Sequence, residues 1–202
     1  GKGTSLIFRA DKNISVLGTL TTNTLSSSTG TAVSAAGSIS LEATENLRIV
    51  SAISAIGGNN TSSTYGGNGG AILLKGLSGI TMLANVSNNG GTSASGGVYN
   101  GIPGSVIVQT ENTTQTTGGG VNDGQLAGVF NGLHLTKEGA GIFVLKGANT
   151  YTGNTTVNAG VLRLGASESI TNTSILTVNA SGTFEMKDFN ETVNNIAGSG
   201  II

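Results

Sequence analysis

The sequence contains no cysteine. Disulfides, thiolate metal ligands and cysteine nucleophiles are excluded together. It also has no tryptophan, one proline and one histidine, and its aromatic content is 4%. Charged residues make up 9% of the 202 positions, whereas an ordinary globular domain is about one-quarter charged. The nine Lys and Arg are scattered along the whole length, so no basic cluster is available to neutralise phosphates and a nucleic-acid partner is not expected. No apolar run approaches the roughly 20 residues of a bilayer-spanning helix, and membrane insertion of this segment is not expected either. The first residues, GKGTSLIF, show neither an initiator Met nor the basic and apolar regions of a signal peptide. They read as the start of a processed form or of a piece cut from a longer chain.

What is present is glycine, at 34 positions, with Ser, Thr and Asn supplying the polarity. A disordered chain of such composition should lack β-branched apolar residues and carry high net charge. This one is 37% hydrophobic with a net charge of −1, which is enough apolar material for a buried core. Apolar and polar residues alternate in strand fashion throughout, and helical periodicity is almost absent. Sliding the sequence along itself brings LIFRADKNISVLGTL from Leu6, ISLEATENLRIVSAI from Ile39 and ILLKGLSGITMLANV from Ile72 into register. The apolar positions coincide as Leu6, Ile39, Ile72; Phe8, Leu41, Leu74; Ile14, Leu47, Ile80; Val16, Ile49, Met82; and Leu20, Ile53, Val86. A fourth copy, SVIVQT, begins at Ser105 after a slip of one residue.

Apolar residues two apart share one strand face, and the gap before the next pair starts a second strand. The segments between copies, such as GGNNTSSTYGGNGG, are too rich in Gly and Asn to form the crossover helices that an ordinary parallel sheet requires. Winding the chain as a coil is the remaining solution, so the pattern predicts an all-β parallel β-solenoid of about six to eight coils. The corners of such a coil are expected to need positive φ at many positions, supplied by Gly and Asn. Long charged side chains are disfavoured because like would stack on like.

From residue 128 the rhythm tightens. GVFNGLHLTKEGAGIFVLKGANTYTGNTTVNAGVLRLGAS resembles the passenger-associated repeat of bacterial autotransporters through Leu135, Thr136, Lys137, Gly139, Gly141, Phe143, Leu145, Gly147, Asn149, Tyr151, Gly153, Thr155, Val157, Gly160, Leu162 and Leu164. The stretch that follows, with Phe184 and Met186, looks like the continuation common in these passengers. Residues 1 to 127 more loosely resemble filamentous-haemagglutinin-type coils, through GGNGGAILLKG and GSISLEATENLRI. These resemblances imply a single right-handed parallel β-helix, with wider coils over 1–127 continuous with compact ones over 128–202, secreted or held at the surface of a Gram-negative bacterium. They also imply that Phe143, Leu145, Val157, Leu162, Leu164, Phe184 and Met186 fill the repeat core. Gly139, Gly141, Gly147, Asn149, Gly153 and Gly160 form its turns. The pattern departs from the family at Ile142 and Val144, which are apolar where a small polar residue usually faces outward; a neighbouring segment or partner is expected to cover that strip, with a plainly exposed β-branched pair as the alternative.

No catalytic set emerges. His134 lies between Leu133 and Leu135, so alternation turns it outward as a solvated strand histidine without an accompanying triad. The ten acids are dispersed rather than paired as polysaccharide cleavage requires. Glu42 and Glu45 flank one strand with Arg48 beyond, an arrangement that reads first as a solvated face and is also compatible with a surface ion pair. YGGNGGAIL has the glycines of a calcium-binding nonapeptide repeat but not its Asp, and no metal or cofactor is expected. Contact residues are sought in the inter-coil insertions, at Tyr65, Tyr99 and Phe130, where the plainer alternative is that these aromatics pin the insertions to the coil wall.

The expected function is therefore a non-enzymatic surface module of an autotransporter-like adhesin or stalk. Its partners would be a host or neighbouring-cell surface, a glycan, or other copies of itself end to end. A head-to-tail extracellular fibre and a polysaccharide-active β-helix enzyme are the alternatives.

Overall fold

A computed structural model of the chain describes residues 3–24, 33–61, 65–94, 100–111, 116–118, 130–131, 134–146, 149, 151 and 153–202. All regular structure among them is β, and every strand pairing is parallel. Each coil contributes up to three strands. The first coil holds β1 (Leu6–Ala10), β2 (Ile14–Val16) and β3 (Leu20–Thr21), and the second β4 (Ile39–Ala43), β5 (Asn46–Ile49) and β6 (Ile53–Ser54). The third holds β7 (Ile72–Gly76), β8 (Gly79–Met82) and β9 (Val86–Ser87). The fourth holds β10 (Ser105–Gln109), β11 (Thr116–Gly118) and β12 (Phe130–Asn131). After β13 (His134–Glu138) and β14 (Ile142–Leu145), the long β15 (Thr155–Leu164) and β16 (Ile175–Glu185) each serve two faces, and β17 (Asn195–Gly198) begins a further turn.

Strand pairs with strand one turn away. Leu6 faces Ile39, which faces Ile72, which faces Val106. Ile14, Leu47 and Ile80 align on the second face, and Leu20, Ile53 and Val86 on the third. All five ladders expected from the sequence are thus present in the register, including the one-residue slip before Val106. The spacing then shortens: Leu135 faces Thr155, Thr155 faces Leu176 and Leu176 faces Ile196. Inter-coil hydrogen bonds that span 33 residues in the early coils span 20 to 22 in the late ones. The inward rows close into one apolar core, with Ile39, Leu74, Met82, Val108, Leu145, Leu162 and Val178 at 1% exposure or less. Burying each such side chain contributes about 1.5–3 kcal/mol.

Three expectations change. Positive φ is confined, among the described residues, to Gly139, Gly160, Gly198, Glu168 and Lys187, and none of these is Asn. Most of the described glycines serve close approach instead: a Cβ at Gly70 would lie 2.1 Å from Gly37 O, and one at Gly104 would lie 2.1 Å from Gly70 O. Asparagine bridges coils with its amide, as where Asn13 Oδ1 accepts from Asn46 N at 3.0 Å and Asn59 Oδ1 from Thr92 N at 2.8 Å. Met186 is 40% exposed rather than in the core. Its parity matches that of buried Leu164, but β16 ends at Glu185 and its ladder with β15 stops at the Arg163–Glu185 pair, so Met186 lies just past the regular stack. Phe8, in β1, is 46% exposed.

Candidate functional site

The outward side of the first face carries a column of ionisable and amide groups. Arg9 pairs with Glu42 at 2.9 Å, and Lys75 follows Glu42 in register. Farther along, Asn158 donates to Glu138 Oε1 at 2.6 Å and Asn179 donates to Asn158 Oδ1 at 2.7 Å. A hydrogen bond from the Ser40 hydroxyl, and then the Arg9 guanidinium, hold the Glu42 carboxyl below its usual range. Glu42 takes its cation from the neighbouring coil rather than from Arg48 of its own. Arg163 and Glu185 make a second inter-coil pair, on the second face, at 2.5 Å. These bonds use the charges to hold coil on coil, and no group of three or more His, Cys, Asp or Glu suited to a metal ion occurs among the described residues.

Lys137 is the one charge inside the apolar stack among the described residues. Strand β13 turns Leu135 and Lys137 inward, and Lys137 is fully buried between Val108 and Val157 in the ladder. Its ammonium donates to Glu138 O at 2.6 Å, Gly139 O at 2.7 Å and Ala159 O at 3.2 Å. Three donors meet three carbonyls at the corner between two faces. Two glycines shape that corner, Gly139 at φ +76° and Gly160 at φ +66°, a region costly for other residues. Desolvation lowers the amine's pKa to about 8, against the opposing influence of Glu111 and Glu138.

The remaining repeat residues build walls. Phe143, Leu145, Val157, Leu162 and Leu164 are buried at 1% or less and Phe184 at 2%. Gly141 N donates to Thr110 O at 2.8 Å, buried Asn149 donates to Ser169 O at 2.7 Å, and Gly153 sits half-buried in the bend before β15. Gly147 lies outside the described residues. Tyr151, also buried, shares a hydrogen bond with the Thr155 hydroxyl, which meets Ser174 Oγ at 3.2 Å, so a polar chain runs through the interior. Burial raises the Tyr151 phenol well above its ordinary pKa. Ile142 is half-buried, and Val144 is 4% exposed although it stands outside the core cluster, so the outward strip of β14 is covered.

His134 is less idle than its outward position implies. Its Nδ1 accepts from Asn154 N at 2.8 Å, which ties β13 to the next coil and places any proton of the neutral ring on Nε2. Glu191 was not singled out by the sequence at all. Its Oε2 accepts from Ser169 N and Ile170 N at 2.8 and 3.0 Å, and burial raises its pKa. Inward parity at Lys137, two residues from Leu135, was the available sequence signal for the buried lysine; Glu191 offered none.

Of the three contact residues, Tyr65 is 60% exposed and its carbonyl accepts from Asn60 Nδ2 at 3.4 Å. It lines a cleft of about 370 Å³ whose walls come from three successive coils: Val33 and Ala35, Tyr65 and Asn68, Asn100 and Ile102. Tyr99 lies outside the described residues. Phe130 pairs through its backbone with Val86 in the third face, and its side chain is likewise outside them.

The profile of the passenger-associated-transport-repeat matches residues 135–164, the stretch from β13 through β15. Over 144 residues the chain is 30% identical to the Adhesin BmaC autotransporter of Brucella suis biovar 1 (strain 1330), an alignment taking in 60% of this chain and 4% of that protein. The chain therefore spans a small fraction of the relative's length. No solved structure matches it. These similarities mark autotransporter-passenger sequence, and the place of such a chain is outside the cell or on its surface in a Gram-negative bacterium. No helix among the described residues is long and apolar enough to cross a membrane.

Proposed function

We propose that this chain is a segment of an exported adhesin passenger, a right-handed β-helix that works as a rigid, non-enzymatic display and contact module. The observation that carries this reading is the use made of the chemistry-bearing groups. Arg9, Glu42, Arg163, Glu185, His134 and Lys137 all have partners in neighbouring coils or corner backbone. An enzyme holds such groups ready for a substrate, and here they hold the scaffold. Similarity to an adhesin autotransporter supports the contact role.

Beads coated with the purified chain are expected to adhere to host epithelial or neighbouring bacterial cells more than beads coated with an unrelated solenoid. Neutral and acidic polysaccharides incubated with the chain should keep their length. Equal adherence by both coatings defeats the contact role, and chain shortening defeats the non-enzymatic one. Electron microscopy should show short single rods; filaments would favour the fibre reading.

A further inference from the structure

We propose that the cleft bordered by Tyr65 binds an uncharged saccharide. The inference deepens the contact role above by naming the ligand class, and it rests on three features of the cleft.

The first is that the floor is fixed before any ligand arrives. Gly67 N donates to Gly58 O at 2.9 Å, Gly91 N to Gly67 O at 2.8 Å and Gly101 N to Gly91 O at 2.8 Å, so outgoing and returning arms of adjacent coils are laced together. Asn68 Oδ1 accepts from Ile102 N at 2.9 Å, and Asn100 Oδ1 from Ser93 N at 2.8 Å. A preformed site loses little ordering entropy when it is filled.

The second is what the fixed floor rules out. The backbone donors of Gly67, Gly69, Gly101 and Ile102 are already engaged, so an extended peptide cannot be added as a strand. Among the described residues, the Tyr65 phenol is the one titratable side chain that lines the cleft, and they offer neither a cation for carboxylate or sulfate nor a carboxylate for a basic ligand. Among the described residues, recognition is left to an aromatic ring, the apolar side chains of Val33, Ala35 and Ile102, and two amides.

The third is that the ring and the apolar side chain beside it reach solvent. Tyr65 and Ile102 are each 60% exposed, and an aromatic that only pinned its arm to the coil wall would be buried. With their oxygens engaged, Asn68 and Asn100 keep their Nδ2 hydrogens as donors. A sugar ring complements this set: its C–H face lies on the Tyr65 ring beside Ile102, and its hydroxyl oxygens accept from the amides.

The test is saturation-transfer NMR and titration calorimetry on the 202-residue chain with a panel of uncharged mono- to tetrasaccharides. A sialylated trisaccharide and a heparin oligomer serve as charged controls. At least one uncharged saccharide should bind with an affinity indifferent to salt, and its ring protons should receive saturation from an aromatic side chain. Tyr65→Phe should keep most of the affinity, and Tyr65→Ala should lose about tenfold or more with the β circular-dichroism spectrum intact. Silence across the panel overturns the proposal, as does binding restricted to the charged controls or binding indifferent to Tyr65→Ala. Bead adherence that survives Tyr65→Ala and is not competed by any saccharide sinks the cleft while leaving the contact role standing.

Discussion

Burial makes Lys137 sensitive to pH in a window that few side chains report. Its pKa is about 8 in the folded chain and 10.5 for an ordinary lysine. Between those values the unfolded chain holds a proton that the folded chain has released, so stability rises with pH across the window. Below about 8 both states are protonated and the dependence vanishes. The full gain is on the order of 3 kcal/mol. Urea midpoints measured from neutral pH to 10.5 should climb for the native chain, and this component should be missing in Lys137→Met. The variant should also be less stable at its best pH, because Gly139 O and Ala159 O lose their buried donor.

At the scale of the strand, alternation decides what a position tolerates. Leu145, on the inner side of β14, is fully buried, so Leu145→Asp strands a carboxylate in the stack and should cost more than about 4 kcal/mol. His134→Ala, on the outer side of β13, removes one acceptor from Asn154 N and should cost about 1 kcal/mol. Thermal unfolding of the two variants checks the ratio, and comparable losses would contradict the assigned facings. Strand positions were legible in the sequence because a period of two and a repeat of 33 need no tertiary information: Ile39, Leu47 and Ile53 were placed by spacing alone. Glycine chemistry was not legible in the same way. Whether Gly70 supplies a positive φ or a bare Cα against Gly37 O depends on how close the adjacent arm runs, which one strand's sequence does not encode.

Across the whole molecule each coil touches mainly its neighbours, so stability follows a chain of nearest-neighbour terms. Amide exchange should be slowest in β7, β10 and β13, which have coils on both sides, and fastest in β1 and β17; mass-spectrometric exchange on the intact chain reads this directly. The cleft illustrates what sequence could and could not reveal at this scale. Tyr65 was findable as a lone aromatic among glycines, but its companions Asn68, Asn100 and Ile102 are joined to it only by the stacking of three arms. Glu191 reaches Ser169 and Ile170 across a full turn in the same manner.

The column Arg9, Glu42, Lys75 alternates in sign, and that alternation constrains how such a chain can lengthen. Copying the single unit that holds Glu42 in tandem would set carboxylate against carboxylate at strand spacing, where like charges repel. Copying two consecutive units preserves the order of signs. Genes for coils of this kind should therefore grow more readily in even steps than in odd ones.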